Sequence, residues 1–222
     1  WLQNEVHSPA AVASNLIRNV AIHAGGFPRS GSDHPLGRVI LAAVEKLHQM
    51  IGLATNDRRI TFRDANFRVG VMLHEDEAGN PLHLMLGGLA ILMCLLSTTA
   101  ETSRRLYALS LCMGFLLFCF FLKWQPFHAR LHLPWFVLAA PLSATVFTTL
   151  WTRKYATATA MVLIIAGLFP ATCNALRPLV TSSSIILRDR TSLYFAASPA
   201  WEAPYLSAVA ELSRTPSARV GI

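Results

Sequence analysis

Four uncharged apolar runs dominate the chain: Pro81 to Ala100, Leu106 to Leu122, Leu131 to Thr152 and Tyr155 to Leu176. A helix needs roughly 20 apolar residues, at about 1.5 Å each, to cross the hydrocarbon core of a bilayer. Apart from Tyr and Cys, the only titratable groups in the runs are His83 and His132, both near run ends. Composition agrees: of 222 residues, 53% are hydrophobic and 14% charged, and the mean hydropathy is +0.43. An ordinary soluble domain is less apolar. The pattern predicts an all-α fold, a polytopic transmembrane helical bundle of about four spans (81–100, 106–122, 131–152 and 155–176) with polar flanking regions at 1–80 and 177–222.

The formal charge of +7 does not point to nucleic acid, because the basic residues are scattered or sit beside apolar runs and form no basic tract. Cys94, Cys112 and Cys119 fall inside spans and Cys173 near the end of one, so no CxxC pair or disulfide framework is expected. The chain starts at Trp1, and the expectation is a piece of a longer protein whose remaining polypeptide is its first partner.

Residues 1–80 carry two helical signals. "PAAVASNLIRNVAIH" places Val12, Leu16 and Val20 on one face, and "GRVILAAVEKLHQMIGL" does the same with Val39, Ile40, Ala43, Val44, Leu47, Met50 and Ile51. Pro9 and Pro35 stand near the starts, Gly25 and Gly52 after the ends. The second helix suits either a bilayer surface or a packed face. "DRRITFRDANFRV" is at most a short strand, and "WEAPYLSAVAELSR" reads as a helix. The spans are joined by "ETSRR", "KWQPFHAR" and "TRK", short enough to force antiparallel neighbours. Placing "ETSRR" and "TRK" in the cytoplasm leaves both polar regions outside. Trp124, Phe127, Trp135, Trp151 and Tyr155 cluster at run boundaries, where amphipathic rings meet headgroups.

Three stretches carry candidate chemistry. In "KWQPFHARLHLP", Lys123, His128 and Arg130 crowd beside Pro126, which blocks helix continuation. They read either as interfacial snorkelling groups or as a cationic niche for a phosphate at headgroup depth, with Arg130 first because its planar fork grips two oxygens. In "HEDEAGNPLHL", His74, Glu75, Asp76 and His83 read either as a solvated acidic loop before a helix or as a site for a divalent metal or a proton. The spacing fits no standard zinc motif. "NALRPL" brings Asn174 and Arg177 to the end of the fourth run. No nucleophile elbow, Walker loop or dinucleotide fingerprint is present.

"LKWQPFHARLHLPWFVLAAPL", with "HEDEAGNPLHL" before it and "NALRPL...SSSIILRDRTSLYF" after it, resembles bacterial membrane glycosyltransferases of the protein mannosyltransferase and aminoarabinose transferase kind, the GT-C architecture. The likeness covers roughly Glu75 to Phe195, and its Arg followed by Leu-Pro stands here as Arg130, Leu133 and Pro134. It implies an integral protein of the bacterial inner membrane that takes a sugar from a polyprenyl phosphate and transfers it on the outer face. Its partners would be that lipid-linked sugar and membrane lipid, with Lys123, His128 and Arg130 at the phosphate. The family's usual catalytic carboxylate lies in the first outer loop after the first span, upstream of this chain, so Glu75 and Asp76 are not carried into that role. The competing expectations are a transporter or flippase for a lipid-linked glycan, and a non-catalytic membrane scaffold.

Overall fold

The computed structural model describes residues 2–25, 35–63, 65–69, 79–174, 177–181, 184–196 and 198–214. They are helical, with no strand among them beyond two isolated bridges. They divide into two compact units between Leu168 and Phe169.

The first unit opens with α1 (Pro9–Ala24) and α2 (Pro35–Ile51). Helix α1 starts where its sequence signals require: the Ser8 hydroxyl accepts from the Ala11 N–H at 3.2 Å and Pro9 takes the first turn, satisfying or removing orphan donors. It stops at Gly25, whose N–H returns to the Ala21 carbonyl at 3.0 Å. Glycine is required there for space. A Cβ on Gly25 would stand 1.9 Å from Val69 Cγ1, so the Val69 side chain rests on the bare backbone at the end of α1. Gly25→Ala is therefore expected to destabilise this corner by about 1–3 kcal/mol, and Val69→Ala in the same chain should recover most of the loss. Equal losses in the single and double variants, by thermal denaturation, would count against the contact.

Helices α3 (Pro81–Leu96), α4 (Thr102–Phe121), α5 (His128–Leu131), α6 (Leu133–Leu150) and α7 (Arg153–Thr172) follow. Three of them, α4, α6 and α7, are long and apolar enough to cross a membrane, so the chain reads as a membrane protein. The expected span at 81–100 is shorter than its apolar run: α3 has 16 residues, roughly 24 Å of helix. It ends because Ser97 turns extended and its hydroxyl accepts from the Thr99 N–H at 3.3 Å. The run at 131–152 likewise divides, giving α5, a break at His132, then α6.

Helices α3, α4 and α6 share one core of Ala90, Ile91, Cys94, Ala108, Leu111, Ala139, Leu142, Val146 and Phe147. Its alanines let the helices approach closely, the packing that holds helices together in lipid, where the hydrophobic effect is spent. Polar atoms along the spans turn inward or onto their own carbonyls. Trp135 Nε1 donates to the Leu111 carbonyl, Tyr107 to that of Leu138 and Thr145 to that of Pro141. No residue of α7 is fully buried, and Met161, Val162, Ile164 and Ile165 are exposed, as befits a helix meant for lipid.

Pro126 prevents α4 from continuing, and residues 122–125 run extended between two other segments. On one side Asn4 N–H donates to Phe121 O and Lys123 N–H to Leu2 O; on the other, Trp124 N–H donates to Ile60 O and Phe62 N–H to Trp124 O. The suspected strand at 57–69 contributes only the parallel bridge of Thr61 to Trp124. Trp124, expected at the headgroups, is 1% exposed and packs edge-on against Phe67 at 5.2 Å.

In the second unit α8 (Arg190–Tyr194) is capped by Asp189, whose carboxylate accepts from the Thr191 and Ser192 N–H groups. A short 3-10 turn (Pro199–Trp201) leads into α9 (Glu202–Ser213), close to the helix that "WEAPYLSAVAELSR" predicts.

Candidate functional site

The sequence pattern puts Val12, Leu16 and Val20 on the packed face of α1. The structure bears this out only in part: Val12 and Leu16 are half-buried and Val20 is 39% exposed, whereas Ser14, Asn15, Arg18, Asn19 and His23 are wholly buried. These five recur at helical spacing along one side, and α1 packs against α2, α3, α4 and α5. A helix laid across the end of a membrane bundle meets carbonyls and rings as well as oil. Buried polar groups are tolerable when they are hydrogen-bonded.

Most of the five are paired. The last carbonyls of α4 have no intrahelical donors, and two asparagines supply them. Asn15 Nδ2 donates to the carbonyls of Cys119 at 2.9 Å and Leu122 at 3.0 Å, and Asn4 Nδ2 to those of Cys119 at 3.0 Å and Phe120 at 2.8 Å. Arg18 donates to the Thr55 and Ile60 carbonyls, the Thr61 hydroxyl and Asn15 Oδ1 at 2.6–3.1 Å, and its guanidinium lies 5.4 Å from the Trp124 ring centroid. Burial lowers its pKa to about 9, so it stays charged near neutral pH. Ser14 donates to His48 Nε2 at 2.8 Å, because His48 Nδ1 gives its proton to the Val44 carbonyl at 2.7 Å.

Three further histidines complete the buried surface. The Asn80 N–H donates to His23 Nδ1 at 3.2 Å, and His23 Nε2 lies 2.8 Å from His132 Nδ1. Once Nδ1 of His23 is an acceptor, its proton must sit on Nε2 and be given to His132, whose own proton is thereby fixed on Nε2. His128 Nδ1 donates to Asn19 Oδ1 at 2.8 Å, and Phe118 stands edge-on to both His128 and His132 at 4.8 Å. Burial pushes all three pKa values down to about 3, with His132 adding to the effect at His23, Arg18 at His128, and His128 at His132. They are neutral at physiological pH.

The structure engages the proposed phosphate ligands in different ways. Lys123 Nζ is held by Glu5 Oε1 at 2.5 Å and by the Arg58 carbonyl at 3.1 Å. His128 is fully buried against α1, while Arg130, on the same short helix, is exposed. Of the acidic or metal contact, His74, Glu75 and Asp76 lie outside the described residues, and His83 sits half-buried on the first turn of α3, edge-on to Phe136 at 6.2 Å. Among the described residues no cluster of three or more His, Cys, Asp or Glu is placed to hold a metal. In the second unit the Arg177 N–H is taken by Asn174 Oδ1 at 3.0 Å. The residues that sequence reasoning missed are on α1, and their signal was the polar stripe itself.

Beside His83 opens an apolar groove of about 270 Å³ between α3, α6 and α7. Leu86, Phe136 and Ala140 line one part and Phe147, Trp151 and Leu163 another, so it follows α6 from its first turn to its last. Phe147 and Trp151 stack there at 4.5 Å. The chain matches no protein-family model, no curated protein and no solved structure.

Proposed function

We propose that this chain is part of an integral membrane glycosyltransferase that moves a sugar from a polyprenyl-phosphate donor to an acceptor on the outer face of the membrane. The observation that carries the reading is the groove along α6: apolar, lined by span residues and running from the His83 end of α3 towards Trp151. A prenyl tail is a long apolar ligand that needs such a channel. The reading takes α3 as a fourth, short span, with the ends of α4 and α6 that carry α5 at the outer surface.

On this reading the exposed Arg130 takes the donor phosphate, at the same end of α6 as His83 and Phe136, and neutralises the charge that grows there as the anomeric C–O bond breaks. An acceptor hydroxyl attacks the anomeric carbon, its proton passes to a carboxylate base, and the lipid phosphate departs. The resemblance puts that base in another part of the polypeptide. Lys123 and His128, committed to Glu5 and Asn19, hold the α4–α6 junction in shape and so position Arg130.

The test uses membranes that contain the complete polypeptide and a labelled polyprenyl-phosphate sugar. Arg130→Ala should lower transfer by about 10²- to 10³-fold, the cost of losing a donor aimed at developing charge, with unchanged membrane insertion. Undiminished transfer would remove Arg130 from the site. Absence of transfer by the unaltered protein with any such donor would overturn the reading.

A further inference from the structure

A second groove, of about 210 Å³, lies between α4 and α6, lined by Ser110, Leu111, Gly114, Phe115, Trp135 and Leu138 among others, with His132 in its wall. We infer that this groove is a lipid-binding site, in which the His132 Nε2–H donates a hydrogen bond to the ester carbonyl of a bilayer lipid whose acyl chain lies along α4 and α6. This site is separate from the α3–α6–α7 groove and does not depend on glycosyl transfer.

Three observations converge on it. The chain of bonds from the Asn80 N–H through His23 leaves the His132 proton on Nε2, and that atom is buried without a hydrogen-bond partner among the described residues. An orphaned donor at a side chain only 2% exposed is costly in a dry setting, and an acceptor oxygen would relieve it. Second, the rings against His132 are walls of the same groove: Phe115 at 5.1 Å and Phe118 at 4.8 Å. The imidazole is therefore one wall of an apolar trough, and Nε2, closed off by these rings, comes within reach of an oxygen there when one of them turns aside. Third, the trough is open: a Cβ on Gly114 would meet nothing within 4 Å.

Depth selects the occupant. His132 immediately precedes α6, a helix long and apolar enough to span. It therefore stands where hydrocarbon gives way to headgroups, the level of lipid ester carbonyls. Groove walls that are mainly apolar suit an acyl chain, and a neutral imidazole offers a donor without attracting a charged headgroup.

The probe is a nanodisc made from equal amounts of a diester and a diether phosphatidylcholine of matched chain length, the second lacking the carbonyl. After detergent extraction, native mass spectrometry reads the lipid retained on the protein. The expected result is a roughly two- to tenfold excess of diester, the ratio that one net hydrogen bond supplies. Gly114→Leu fills the trough from α4 without touching the histidine chain and should return the ratio to one. His132→Phe should do the same, and because it also breaks the bond to His23, the Gly114 variant carries the test if that protein fails to fold. Equal retention of the two lipids by the unaltered protein, as when the N–H is satisfied by the Phe115 and Phe118 faces, would overturn the inference. So would a diester excess that survives Gly114→Leu.

Discussion

Asn15→Ala should loosen α1 from the bundle by about 2–4 kcal/mol. The partly buried Leu122 carbonyl loses its Asn15 donor, and the buried Arg18 loses the bond it gives to Asn15 Oδ1. Each loss is worth about 1–3 kcal/mol in a desolvated place. The Cys119 carbonyl is partly protected, because Asn4 also donates to it. Val20→Ala, on the exposed side of the same helix, should change stability by no more than about 0.5 kcal/mol. Amide exchange along α1 in lipid nanodiscs measures both. A larger effect from Val20 than from Asn15 would restore the apolar face to the packing role and discard the polar one.

Acidification should release α1 with similar force. His23, His128 and His132 are neutral when docked, each with a pKa near 3 in place of 6.5. A depressed histidine pKa means that the undocked state binds more protons. The stabilisation is therefore complete above about pH 6.5 and is lost as the pH falls towards 3. At pH 5.5 the cost is on the order of 1 kcal/mol per histidine relative to high pH, and a few kcal/mol for the three together. The groups facing them do not compensate: Asn19, Asn80, Phe115, Phe118 and Phe136 do not titrate, and Arg18 stays charged. Asp57, whose pKa is lowered by its hydrogen bond from Arg59, acts only at still lower pH and in the same direction. Exchange rates of α1 amides, corrected for intrinsic chemistry, should rise between pH 7 and pH 5.5 more than those of α6. Parallel behaviour of the two helices would show that the three imidazoles titrate freely.

The spans were legible because lipid leaves little choice. Any stretch that crosses it must be uncharged for about 20 residues, and α4, α6 and α7 follow their runs closely. Helices α1 and α2 were bounded correctly by Pro9, Pro35, Gly25 and Gly52, since these residues act through local backbone sterics. What failed was orientation. The packed side of α1 is set by the carbonyls at the end of α4 and by two histidines more than a hundred residues away, and hydrophobic periodicity cannot register partners that are polar. Trp124 misled for the same reason: its ring was assigned to headgroups, but Arg18 and Phe67 claim it. In the candidate phosphate niche residue types alone suggested one cluster, while Glu5 takes Lys123, Asn19 takes His128, and Arg130 stays exposed.

The asparagine at position 4 reaches a carbonyl 116 residues later in the chain. A ribosome adding about 5–20 residues each second needs roughly 6–23 seconds to cover that interval. Throughout that time the early polar segment has been made and its docking platform has not. The cell must therefore keep this segment from misassociation until the later helices are inserted, and a variant that slows their insertion should expose residues 2–25 to proteolysis even though they are themselves unchanged.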